Sequence, residues 1–207
     1  MQRFKNTHAG ETCLLVGNGA NLHLTPPAWF DMPSFGMNTI HLYAGWSPDY
    51  YVTVDDRVRR EFGGVIAARF RDIPKFIPYD LREWQGEKFI TFNHIADDLK
   101  RGWKPNELPG ITYHNVMHVA MQLAFWMGFT TLLMIGVEHK QDEGNKHFWG
   151  VDEGMPAQPP VPDWYVGYET LVKGMATRGV KVLNISEQTY CPAEILPRED
   201  WRKYAKN

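Results

Sequence analysis

The chain of 207 residues contains only two cysteines, Cys13 and Cys191, and no CxxC pair. A disulfide framework or cysteine-based zinc site therefore does not organise it. No charge sign dominates: 22 Lys and Arg stand against 24 Asp and Glu, a net charge of −2. The basic footprint of a dedicated nucleic-acid binder is missing. No apolar run approaches the roughly 20 residues of a membrane span, and the opening MQRFKNTHAGET has no signal-peptide apolar region. These absences lead us to expect a reducing, cytoplasmic setting, with Cys13 a buried structural thiol. The standard phosphate motifs are also missing, both GxGxxG and GK[ST], and no HExxH is present.

What is present is a globular composition, 43% hydrophobic and 14% aromatic, in a chain long enough for one domain with a sizeable core. Short buried strands are expected over residues 12–16, 34–37, 49–54, 75–78, 88–92, 131–135 and 181–184. A helix over 57–62 is expected to stop at Gly63 and Gly64. The clearest helix is 115–127, where Val116, Val119, Ala120, Leu123 and Met127 recur at helical spacing and Gly128 stands at the C′ position. The next strand follows at once. Residues 97–112 read as loop, 138–163 as a long lid or binding loop, 164–177 as a helix capped by Asp163, and 197–205 as a short terminal helix. Strands alternating with helices predict an α/β, Rossmann-like fold, with a mostly parallel sheet covered by helices on both faces and a lid loop.

In such sheets, ligands bind beyond the carboxyl ends of the strands. The first strand ends in Gly17, Asn18, Gly19 and Asn21, the second in Asn38, and the third in Asp55 and Asp56. The helix–strand unit ends in Gly136, Glu138 and His139. The glycines allow close backbone approach to an anion, while the asparagines suit a nucleotide or sugar hydroxyl pattern. Asp55 suits ribose hydroxyls; Asp55 with Asp56 suits Mg²⁺ under a phosphate, and Asp56 alternatively caps the next helix. His139 and His147 are candidate general bases. His114 and His118 share a helix face at a metal-compatible spacing, but the glutamate of a metalloprotease motif is absent between them. Trp149, Trp164 and Tyr165 are candidates for stacking on a base or sugar, or for packing.

The stretches CLLVGNGANL, FGMNTIHL, PDYYVTVDD and VAMQLAFWMGFTTLLMIGVEH come in the order and spacing of one superfamily. The chain resembles the small bacterial lipooligosaccharide sialyltransferases. It resembles still more their bacterial and phage relatives, described as sialyltransferase-like or as related to archaeal hydroxymethylpterin pyrophosphokinases. GVKVLNIS and ILPREDW extend the resemblance to most of the chain outside residues 60–108. The resemblance implies a nucleotide-binding Rossmann-like fold. In it Gly17, Asn18, Gly19 and Asn21 would contact donor phosphates and sugar, and Asn38 the nucleotide. Thr112, Asn115, Gly136 and Glu138 would complete the pocket. It also implies metal-free inverting transfer, with a lid histidine as base and lid tyrosines assisting the leaving phosphate.

The chain departs from that pattern in the lid. The family's H-Y-x-G-H is here His147-Phe148-Trp149-Gly150-Val151, so Val151 takes the place of the base, with Asp152 beside it. No tyrosine lies between Gly136 and Asp163, and Thr112-Tyr113-His114-Asn115 replaces a serine- and glycine-bearing loop. The leading expectation is a glycosyltransferase with a nucleotide-activated sugar as donor and a glycan, or less readily a modified nucleic acid, as acceptor. It would need no cofactor, and the N–H groups of the Gly-Asn-Gly loop would stabilise the leaving nucleotide. The alternatives are a Mg²⁺-dependent pyrophosphokinase using Asp55, Asp56 or Glu138, and a non-catalytic nucleotide- or glycan-binding protein. Phe125 and Trp126 would either pack on the sheet or form a homo-oligomer contact.

Overall fold

The computed structural model describes residues 1–84, 88–94, 99, 102–103, 110–139, 147–150 and 162–206. Eight strands form one sheet: β1 (Thr12–Val16), β2 (Ser34–Met37), β3 (Tyr50–Val52), β4 (Lys75–Pro78), β5 (Phe89–His94), β6 (Gly110–Ile111), β7 (Thr131–Ile135) and β8 (Lys181–Asn184). Their order is β6-β5-β4-β3-β2-β1-β7-β8, and every pairing is parallel. Among the described residues three α-helices join them: α1 (Asp56–Arg69), α2 (Val116–Trp126) and α3 (Pro162–Ala176).

Side-chain alternation along the strands separates two cores. Cys13 and Leu15 of β1, Phe35 and Met37 of β2, and Leu132 and Met134 of β7 join the cluster with Met121 of α2 and Leu171 of α3. Leu14, Val16, Leu133 and Ile135 point the other way and join the cluster with Val58 and Ile66 of α1. A period-two strand buried on both faces yields the apolar runs CLLV and TLLMI, because each alternate residue meets a helix. Phe125 and Trp126 pack against the first of these cores, and Trp103 meets Phe125 edge-on at 4.8 Å. Both cysteines are buried and free. No helix among the described residues is long and apolar enough to cross a membrane.

Three expectations need correction. The helix expected to end at Gly63 continues to Arg69. A helical glycine costs only about 1 kcal/mol relative to alanine, and burial of Ile66 at 0% exposure outweighs it. Gly63 also lets Trp84 come close, since a Cβ there would stand 3.3 Å from the indole nitrogen. The passage read as loop over 97–112 ends in β6, a two-residue strand too short to leave a periodic signal. The terminal helix is a single 3-10 turn, Trp201–Lys203, capped by Asp200. Most of the stretch read as a lid, residues 140–146 and 151–161 with Val151 and Asp152, lies outside the described residues.

Candidate functional site

The chain leaves β1 toward β2 on one side and returns through α2 to β7 on the other. The crevice between β1 and β7 is thus the topological switch point, where parallel sheets bind ligands. Val16 pairs with Ile135, so Gly17 and Gly136 leave the sheet side by side. Their closeness explains both glycines. A Cβ on Gly17 would collide with the Gly136 carbonyl oxygen, and one on Gly136 would stand 2.7 Å from the Gly17 carbonyl oxygen. Gly136 also has φ +66°, a region that favours glycine.

The Gly-Asn-Gly loop is therefore bonded to its neighbour rather than open to an anion. The Gly17 N–H donates to Ile135 O at 2.9 Å, and the Gly19 N–H to Gly136 O at 2.9 Å. Asn18 donates through Nδ2 to the Met37 carbonyl at 3.0 Å, tying β1 to β2. Gly19 makes room for a side chain of this same protein: a Cβ there would coincide with the Glu138 carboxylate. Of the N–H groups this loop was expected to offer a leaving phosphate, those of Gly17 and Gly19 are spent on β7 and its exit.

Glu138 is 3% exposed and neither carboxylate oxygen has a hydrogen-bond partner. Burial raises its pKa to about 7; the N–H groups of Glu138 itself and Asn21 oppose this shift from nearby but outside hydrogen-bond geometry. The loop carrying Glu138 is held from β8: Asn184 Nδ2 donates to Val137 O at 3.1 Å, and the Val137 N–H donates to Ser186 Oγ at 3.2 Å.

Residues 147–150 meet the same crevice. His147 pairs with Gly19 across an antiparallel bridge, and the Phe148 N–H donates to Asn18 O at 3.1 Å. His147 stacks on Trp149 at 4.3 Å. Its Nδ1 lies 3.3 Å from the same Asn18 carbonyl, which can only accept. The proton therefore belongs on Nδ1 and the basic lone pair on Nε2.

His139 is placed differently. It has φ +51° and packs against Trp164, Tyr165 and Tyr168, with Nε2 3.2 Å from the Tyr168 hydroxyl. Burial lowers its pKa to about 4. Asn115 caps α2, its Oδ1 accepting from the His118 N–H at 3.1 Å, while its Nδ2 reaches toward Tyr168. His118 is fully buried and accepts at Nδ1 from the His114 N–H. Burial first, and His114 second, lower its pKa to about 3. His114 Nδ1 meets Asp163 O at 2.7 Å, so the two histidines join a hydrogen-bonded network. Tyr168 was missed in the sequence, although Trp164, Tyr168, Leu171 and Met175 have the spacing of a buried helix face.

The remaining candidates are engaged in the scaffold. Asn38 sits at φ +45°, its Oδ1 accepting from Thr53 Oγ1 at 2.9 Å. The Thr112 carbonyl accepts from Gln122 at 2.7 Å. Asn21 donates to Gln188 at 3.1 Å. The cap of α1 is Asp55, not Asp56: its carboxylate accepts from the Arg57 N–H at 2.8 Å. Asp56 instead bonds Arg59 at 2.7 Å and also pairs with Arg60. With Asp55 turned to its own helix and Asp56 taken by two arginines, the pair does not fit a Mg²⁺ site. Among the described residues no group of three or more His, Cys, Asp and Glu is placed to hold a metal ion. Asp55→Ala should lower stability by about 1 kcal/mol, as for loss of a helix N-cap. Urea unfolding would measure it, and an unchanged midpoint would refute the capping role.

An all-parallel sheet covered on both faces, with its switch point between the first strand and the strand after the central helix, defines a Rossmann-like α/β fold. The MAf glycosyltransferase of Magnetospirillum magneticum AMB-1 aligns with 95% of this chain at a TM-score of 0.62 and 12% identity. The chain spans 34% of that protein's length. The sialyltransferase CstII of Campylobacter jejuni, solved with the substrate analogue cytidine-5'-monophosphate, aligns with 91% of this chain and 84% of its own at a TM-score of 0.50 and 11% identity. No family model matches the chain, and no curated protein matches it in sequence. At such identities the likeness is one of fold.

Proposed function

We propose that the chain is a nucleotide-dependent glycosyltransferase that takes its sugar from a nucleotide-activated donor. The observation that carries this reading is the meeting at one switch point of Asn18, Glu138 and His147, in a fold shared with glycosyltransferases. Asn38 and Asn115 stand at neighbouring strand and helix ends. The reaction is an in-line displacement at the anomeric carbon. His147 Nε2 takes the proton of the acceptor hydroxyl, and that oxygen bonds the anomeric carbon. The bond from this carbon to the phosphate oxygen breaks, and the nucleotide leaves with the electron pair. His139 is set aside as base because its Nε2 lies against the Tyr168 hydroxyl and burial depresses its basicity.

Thermal-shift titration with CMP, UDP, GDP and ATP, followed by turnover of the matching nucleotide-sugar with and without EDTA, tests the reading. A shift and EDTA-resistant turnover are expected. No shift with any nucleotide would overturn the enzyme reading, and turnover of ATP with Mg²⁺ alone would replace it by phosphoryl transfer. His147→Ala is expected to lower kcat by roughly 10²–10⁴-fold, the usual worth of a general base, with the donor KM little changed. An unchanged kcat would remove His147 from the chemistry.

A further inference from the structure

Around the β1–β7 crevice three buried side-chain oxygens have no hydrogen-bond partner. Both Glu138 carboxylate oxygens and the Asn18 amide oxygen are buried without a hydrogen-bond partner. Buried polar atoms are almost always paired, and each exception calls for an explanation. Asn18 is placed by its own Nδ2, which is fixed on the Met37 carbonyl, so its oxygen has a set direction. Glu138 is placed by Gly19, the residue without a side chain that it rests against. Glycine N–H groups that might have satisfied these oxygens are committed to the carbonyls of Ile135 and Gly136. An anion brought here would meet acceptors and a carboxylate. A pair of hydroxyls would meet what it needs, since two O–H groups on adjacent carbons match the two oxygens of one carboxylate.

We infer that Glu138 is a subsite that reads vicinal hydroxyls of the donor, and that the donor's phosphate does not bind at this carboxylate. This deepens the nucleotide-sugar reading and rests on it. It also gives the glycines another purpose: Gly17 and Gly136 bring the two strand exits together, and Gly19 admits the carboxylate. Because Glu138 is 3% exposed, entry requires a local opening. The backbone contacts of His147 and Phe148 with Gly19 and Asn18 are the fastenings that must loosen.

Two measurements test the inference. In the first, calorimetry compares CMP, UMP, GMP and AMP on the wild-type chain. The tightest binder is then compared with its 2',3'-dideoxy form and with a nucleotide-sugar of the same base. If the ribose supplies the hydroxyls, the dideoxy form binds at least 10-fold more weakly to the wild-type chain and no more weakly to Glu138→Leu. If the transferred sugar supplies them, the nucleotide-sugar gains at least 10-fold over the nucleotide, and Glu138→Leu erases the gain. Nucleotide binding with neither difference overturns this subsite and leaves the proposed function standing. No nucleotide binding to the wild-type chain overturns both. The second measurement needs no ligand. Glu138→Gln and Glu138→Leu are expected to raise Tm at pH 8, because each removes an unpartnered buried carboxylate. A lower Tm for both would show that the carboxylate serves the fold, and would overturn the inference.

Discussion

Gly136→Ala is expected to destabilise the protein by about 3 kcal/mol, from left-handed strain of roughly 1–2 kcal/mol and overpacking of roughly 1–3 kcal/mol. The strain arises because Gly136 has φ +66°. The overpacking arises because the new Cβ would stand 2.7 Å from the Gly17 carbonyl oxygen and 3.2 Å from Leu22 Cδ1. The first contact is with the backbone just beyond β1, so a rotamer change cannot relieve it. In a chain of this size such a loss lowers Tm by about 6–12 °C. Gly10→Ala and Gly45→Ala are the controls. Both glycines have positive φ, +86° and +75°, but a Cβ at either would have nothing within 4 Å. They should therefore lose only the strain of roughly 1–2 kcal/mol. Equal losses at Gly136 and Gly10, measured by urea unfolding, would show that the close approach of the two strand exits carries no energy.

Much of this architecture was legible from the chain. Buried parallel strands appear as short continuous apolar runs, and CLLV and TLLMI are both strands as expected. Asn115 and Gly128 marked the ends of α2 to within a residue, because caps answer to local backbone geometry. The first loop was harder. The motif GNG has the composition of an anion cradle, but its glycine N–H groups are taken by the strand that pairs with β1. That partner lies more than a hundred residues away, and no local pattern encodes the pairing. Glu138 was placed in the pocket from its position after a strand. Its lack of a partner is a property of the packed interior, visible only once Gly19 is seen against it. The continuation of α1 through Gly63 and Gly64 is tertiary in origin too: weak local propensity loses to the buried face carrying Val58 and Ile66.

As pH falls from 6.5 to 4.5 the protein is expected to lose stability with a slope that steepens to about 1.4 kcal/mol per pH unit, the equivalent of one proton taken up on unfolding. His118 and His139 have folded pKa values lowered to about 3 and about 4. In this window they stay neutral in the folded chain, while an unfolded histidine, near 6.5, takes up a proton. Each therefore contributes stability that is present above pH 6.5 and is lost as pH falls toward its folded pKa. His41, lowered chiefly by burial, acts on the same side. Glu138 opposes them. Burial raises its pKa to about 7 from the ordinary carboxylate range, so in this window the folded chain holds a proton that the unfolded chain releases. Its contribution is present below pH 4.5 and is lost as pH rises through 7. Two histidine protons less one from Glu138 leave a net of one. Over two pH units this is about 2 kcal/mol, or a fall in Tm of about 4–8 °C. Glu138→Gln removes the opposing proton and should steepen the slope to about 2.7 kcal/mol per pH unit, while His118→Gln should flatten it. Tm measured at half-unit steps from pH 6.5 to 4.5 distinguishes these slopes. A Glu138→Gln slope no steeper than wild type would mean that the carboxyl titrates alike in the folded and unfolded chains, as an exposed group would.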